Sequence, residues 1–438
     1  MSPKSRGRKH RPGSRRPGTA AVRQLSPADL VLRTAHALPA AERLLAVELW
    51  ASGSLGRAWA SGGIGRSASD EDLVAELVAR VAAKPTAHGL AALVALRRVA
   101  PPDLHAPMDA AVAAVGARHR LPAWAAADGW TVTRAWRAAD VWGSTVVASF
   151  EVSGPEPFTL LAAITTLAGA RVDTIWVESP GEQDAWLAGL DPGTPPFVKV
   201  EQPVPEALAA LAETMGLTDV TWPRSDDDGY IEHRALAWSL CRPFTPTPDP
   251  TGWEGLPDDE RTALLDAFLA GPSAAALGAD HGGPDEGEPA GLARPDGRES
   301  VRVVADTCLD FGDGYLPEVL AWSPQAVELF LLDYLPRKVV ITAEDLAALP
   351  DVLKAWLRFC LARRGVADPW VEPVVEAVDA CLPEFRDAMS DSGSWGIGKQ
   401  LFAGLTEAGV DLTDQDAIQD AIGAFNARRL AERMADPD

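Results

Sequence analysis

Cysteine is scarce in this chain and poorly spaced for chemistry. Cys241, Cys308, Cys360 and Cys381 are the only four, and no two have the C-x-x-C separation that a zinc knuckle or a dithiol redox pair requires. They read as free, buried thiols. Long apolar runs are also missing, since nothing approaches the roughly 18 uncharged apolar residues of a membrane span. Arg23 and Asp29 interrupt the segment after the basic start, which excludes a secretory signal there. A cytoplasmic protein with no membrane partner is expected. The G-x-S-x-G, H-E-x-x-H and Walker patterns are absent as well, and the sequence defines no cofactor.

Acid is what the first 23 residues lack. MSPKSRGRKHRPGSRRPGTAAVR holds Lys4, Arg6, Arg8, Lys9, Arg11, Arg15, Arg16 and Arg23 and no Asp or Glu. The whole chain has a formal charge of −22, so the remainder carries about −30. Arg11-Pro12-Gly13 and Arg16-Pro17-Gly18 break any periodicity, so residues 1–25 are expected to form a disordered basic tail. Those eight cations are the candidate contacts for nucleic acid or an acidic partner protein, because an acidic body repels polyanions and only the tail offers counter-charge. A tail that merely folds back on its own body is a further reading.

The rest is ordinary globular composition, 47% hydrophobic and 23% charged, long enough for two or three domains. The expected fold is α+β and helix-rich. Residues 26–125 read as a helical region, with Ser26-Pro27 starting one helix and Ser69 with Asp72 a capping box for another. The glycine-rich stretch SGSLGRAWASGGIGRS between them is expected to be a loop. From 126 to 245 the period shifts to two and an α+β domain with a small antiparallel sheet is expected: strands at Trp130–Trp136, from Ser144, Asp173–Val177 and Phe197–Val200, then helices at Val204–Met215 and Ile231–Leu240. Residues 246–299 read as a linker with one helix at about 258–270, and 300–438 as a helical module. In that module Ser323-Pro324 opens a helix that Pro336 ends, Thr342 with Asp345 caps the next, Pro350 restarts the chain, and Gly365 supplies a C-terminal cap.

Three clusters carry the available chemistry. Asp306, Asp310 and Asp313 are weak metal candidates, the first two one helical turn apart. They support the alternative of a metal-assisted enzyme, against a solvated face beside a glycine-rich turn. Ser225-Asp226-Asp227-Asp228-Gly229, with His233 beyond, reads as a loop favouring a helix N-terminus, and His233 as structural rather than a general base. Trp130 and Trp136 flank Arg134 on one expected strand face, an arrangement that could stack bases.

Arg337 and Lys338 follow a helix end, where cations meet unsatisfied carbonyls, and this favours a structural role over anion binding. The segment WSPQAVELFLLDYLPRKV (Trp322–Val339), with ALPDVLKAWLRFCLARRG after it, resembles the C-terminal helical module of a group of uncharacterised actinobacterial proteins. The similarity extends weakly over some 300 residues, and that group brings no activity with it. The reading that results is an interaction or adaptor protein with a basic tail.

Overall fold

The computed structural model describes residues 26–62, 69–189, 195–247, 255–280 and 297–391, with scattered positions beyond. Helices dominate it, and a five-stranded antiparallel sheet sits in the middle. The basic segment 1–25 and, of the expected linker, residues 248–254 and 281–296 lie outside the described residues.

Five helices come first: α1 (Pro27–Thr34), α2 (Leu44–Ala60), α3 (Ser69–Ala83), α4 (Ala87–Val99) and α5 (His105–Gly116). Ser26 caps α1 by accepting from the Asp29 amide, with Pro27 in the first turn. The expected glycine-rich loop is corrected: Ser52 to Ala60 belong to α2. Gly56 is there because a Cβ would run into the Ile231 carbonyl of the helix packed across it, so glycine permits close helix contact rather than a turn.

The strands are β1 (Thr131–Asp140), β2 (Thr145–Ser153), β3 (Phe158–Thr165), β4 (Arg171–Glu178) and β5 (Phe197–Gln202), in the order β4-β3-β2-β1-β5. Sequence periodicity missed β3. Its residues FTLLAAIT are buried on both faces, so they show no alternation. On the first face, Ala135, Phe150, Leu160 and Val177 align across four strands and join one core with α1–α5. Two later helices, α7 (Val204–Val220) and α8 (Asp228–Cys241), pack into that core, and α6 (Glu182–Ala188) precedes β5. The helical region and the α+β region therefore share a single interior.

The second core is helical: α9 (Asp258–Leu269), α10 (Pro272–Asp280), α11 (Gly297–Tyr315), α12 (Pro324–Leu329), α13 (Leu335–Lys338), α14 (Ala343–Arg363) and α15 (Glu372–Ser390). Phe311 lies at its heart, with ring centroids of Tyr315, Trp322, Phe330 and Tyr334 at 5.1–5.3 Å. The expected helix at 258–270 is α9. It buries Leu265 and Phe268 in this core, so it packs as part of the helical module, and α10 extends it where linker was expected.

Ser323 and Thr342 cap as expected, and Gly365 at φ +71° ends α14. Two prolines behave differently from expectation. Pro336 lies in the first turn of α13, after one π-helical turn at Phe330–Tyr334 that connects it to α12, and Pro350 lies inside the unbroken α14.

The sheet joins the two cores through its turns. Trp142, in the β1–β2 turn, is buried in the second core and donates its indole N–H to the Trp370 carbonyl at 3.0 Å, while Arg364 returns a bond to the Trp142 carbonyl at 2.8 Å. Asp140 shapes that turn by accepting from the amides of Trp142, Ser144 and Thr145. In the β3–β4 turn the Ala168 amide bonds to the Tyr315 carbonyl at 2.7 Å and Leu167 is buried against the same helices.

Cleavage by a glutamate-specific protease after Glu286, in the Gly/Pro/acid-rich stretch, is expected to give fragments that stay together, because α9 and α10 pack into a core completed by the other fragment. Size-exclusion chromatography of the nicked chain checks this. Separate elution of the two fragments under native conditions would contradict the arrangement.

Candidate functional site

The sheet's second face carries the least satisfied polar groups. A register shift between Val132 and Arg134 in β1 changes the parity, so Trp130 and Trp136 do not share a face. Trp130 stays with the first core, edge-on to Phe158 at 5.1 Å, and bonds to Glu48. Trp136 turns to the second face, where Arg134 and Lys199 lie 4.6 and 4.5 Å from its ring centre. The expected two-tryptophan stacking platform is thereby corrected.

Two rows of residues cross this face. Arg134, Glu151, Thr159 and Glu178 face one another from β1 to β4, and Trp136, Ser149, Leu161 and Trp176 form the next row. Strands β4 and β5 are opposite edges of the sheet, and α6 lies between them in the chain. Asp184 of α6 meets Lys199 at 2.5 Å, which places α6 on the Trp136 side. On this face the Ser149 Oγ, Thr159 Oγ1 and Glu178 Oε2 atoms are buried with no hydrogen-bond partner. The other Glu178 oxygen accepts from the Trp176 indole at 2.9 Å.

An unmade bond at a buried polar atom costs about 1–3 kcal/mol. Three such atoms, two hydroxyls and one carboxylate oxygen, lie on the adjacent strands β2, β3 and β4. Sequence reading missed them because their placement depends on β3.

The second polar cluster is structural. Tyr230, Arg234 and Trp238 recur every four residues on α8, and all three donate to Asp219 near the end of α7. Arg234 grips that carboxylate with two bonds of 2.7 Å and reaches Asp70 of α3 at 3.4 Å. Its guanidinium also lies 4.9 Å from the centre of the Trp59 ring. Burial lowers the Arg234 pKa, but Asp219 and Asp70 outweigh it and raise the net value, so the charge persists. Asp70 is different. Burial raises its pKa above the usual carboxylate value despite Arg234, and its Oδ1 has no partner. The i, i+4, i+8 spacing on α8 is the signal that would have found this cluster.

The sequence-selected carboxylates separate. Asp306 and Asp310 both bond one Arg261 nitrogen, at 2.6 and 2.7 Å, so a guanidinium fills the place between them that a cation would take. Asp313 instead accepts from the Leu256 amide at 2.9 Å. The expected glycine-rich turn there is helical: α11 continues through Gly312, where a Cβ would meet the Val319 carbonyl. Among the described residues no group of three or more His, Cys, Asp or Glu is disposed to hold a metal ion.

Asp227 caps α8 by accepting from the Tyr230 amide, and a ring nitrogen of His233 bonds the Gly229 carbonyl at 2.8 Å. Arg337 pairs with Asp333 at 2.7 Å and Lys338 lies over the Tyr315 ring, both within the last turn of α13. The eight basic residues from Lys4 to Arg23 lie outside the described residues. Comparison of the chain with protein-family models, with curated proteins and with solved structures finds no match.

Two pairs of substitutions test these assignments. Asp219→Asn should lower unfolding stability at pH 7 by about 3 kcal/mol, since it breaks a buried pair. Asp70→Asn should cost much less. A raised carboxyl pKa contributes stability that is present below its unfolded value and is lost as pH rises through the folded one, so Asp70 contributes less of it at pH 7 than at pH 4. Urea titrations at pH 4 and pH 7 read the difference, and equal losses for the two variants would contradict it.

Thr159→Val and Ser149→Ala should each raise stability by about 1 kcal/mol, because the hydroxyls they remove make no bond. A loss in both would show that the hydroxyls are satisfied in solution.

Proposed function

We propose that this chain is an interaction protein in which a cationic N-terminal segment engages a polyanion, nucleic acid first among them, while the acidic folded body stays off it. The observation that carries the reading is the segregation of charge. Eight Lys/Arg without a single Asp or Glu precede a remainder of about −30. A polyanion that approaches the body meets repulsion, and one that approaches the segment releases counterions. An acidic protein partner is the other occupant this chemistry admits.

Supporting features of the body are structural. It has two cores tied by the sheet's turns, and its ion pairs join elements distant in sequence, as Arg234 does with Asp70 and Arg261 with Asp306. No helix among the described residues is long and apolar enough to cross a membrane. All four cysteines are free, which accords with a reducing, cytoplasmic location.

The test is a titration of fluorescent duplex DNA, single-stranded RNA and an acidic peptide with the full chain and with a chain lacking residues 1–23. Binding to a nucleic acid should vanish on truncation. In the full chain, affinity should fall by about 10³–10⁵ between 50 and 200 mM salt if most of the eight charges meet phosphates. Equal binding by the truncated chain would overturn the proposal, as would failure of the full chain to bind any of the three probes at low salt.

A further inference from the structure

The two edges of the sheet are treated differently. At β4 the register slips opposite Ala163 and Ile164, and the start of α8 approaches so closely that a Cβ on Gly229 would meet the Thr174 hydroxyl and the Ile175 carbonyl. A bulge and a covering helix are ordinary protections of an edge. Among the described residues strand β5 has neither. It pairs in unbroken register with β1, contains no proline, and from Val198 to Gln202 its outer side makes no backbone hydrogen bond to another described residue. Val198 and Val200 are 60% and 56% exposed, high values for aliphatic side chains in a strand. Lys199, the charge that could guard this edge, is turned to Trp136 and Asp184 on the second face.

We infer that the open edge of β5 pairs antiparallel with β5 of a second copy of this chain, so that two five-stranded sheets become one continuous sheet of ten. The strand's own sequence, FVKVEQ, selects this occupant. Antiparallel pairing about a two-fold axis must set residues of the same face opposite one another, which excludes every register that brings a valine against a lysine or glutamate. Of the central registers that remain, one centred on Lys199 sets lysine against lysine, and one centred on Glu201 sets glutamate against glutamate. The register centred on Val200 sets Val200 against its own copy and places Lys199 opposite Glu201 twice, once on each side of the axis. Val198 then lies diagonal to the second Val200. The exposed apolar pair is covered, and Lys199, already paired with Asp184, meets Glu201, already paired with Arg134, so that the charges alternate in sign across the axis.

Such an edge-to-edge contact is small, so the dimer should be a weak one, with a dissociation constant of about 1–100 μM. Sedimentation velocity of the full chain across that range should show reversible dimer formation. Val200→Lys sets two like charges face to face on the axis and should weaken association at least about tenfold. Circular dichroism confirms that the variant stays folded.

Register is read separately by disulfide trapping under mild oxidation. In Val200→Cys the two Cα atoms would lie about 4.5–5.5 Å apart, inside the range a disulfide spans. In Val198→Cys the like residues are four positions out of register, about 13 Å apart. Cross-linking of the first variant, with none in the second or in the wild-type chain, is the expected result. A chain that stays monomeric to about 0.5 mM overturns the inference, including the case in which a strand from another protein takes this edge. A dimer indifferent to Val200→Lys, or one trapped equally by both cysteine variants, overturns it too.

Discussion

The insertion of Trp142 into the second core is the contact on which the rest of the architecture depends. A four-residue excursion, 141–144, at the tip of a hairpin carries a large aromatic side chain from the sheet that organises the first core into the interior of the other. Its indole N–H and its carbonyl are both taken by the receiving helices, through Trp370 and Arg364. The hairpin tip can do this because Asp140 satisfies three of the turn's amides and Gly143 adopts φ +79°. A loose turn would leave buried backbone groups without partners and cost more than the tryptophan gains. The neighbouring β3–β4 turn adds Leu167 and the Ala168 amide to the same contact, so two points fix the relative placement of the cores.

That rigidity gives the charge distribution its meaning. Long-range ion pairs hold the acidic body together internally: Asp219 is saturated by three donors from one stripe of α8, and Asp306 and Asp310 share one arginine. These groups stabilise by pairing with residues far away in sequence, so carboxylates that resemble chelating clusters when read along the chain act as internal struts. The unpaired oxygens at Asp70, Ser149, Thr159 and Glu178 are exceptions, polar groups retained at a cost in stability.

How much was legible in the sequence follows from the range of each interaction. Caps are local, and Ser26, Ser323 and Thr342 stand where their side chains predict helix starts. The change from helical to alternating periodicity located β1, β2, β4 and β5 because each alternates over part of its length. β3 does not, since neighbours bury it on both faces, and without it neither the second-face rows nor their unpaired atoms can be placed. Gly56 and Gly312 were read as loop residues for a comparable reason: what requires glycine is a carbonyl from another segment, Ile231 in one case and Val319 in the other. The sequence reads Pro336 as a stop and Pro350 as a restart in a first turn, yet Pro336 itself stands in the first turn of α13 and Pro350 inside the unbroken α14. Asp306 and Asp310 bond one guanidinium from the same side of α11, and the arginine that decides their role lies 45 residues from the first and 49 from the second.

If the sheet's turns make the two cores one unit, the body should unfold as one. Differential scanning calorimetry of the full chain tests this most directly. A single transition whose calorimetric and van't Hoff enthalpies agree is the predicted result. Two resolved transitions, one for each core, would show that the cores fold independently and that Trp142 and Ala168 only touch the second core without coupling it to the first.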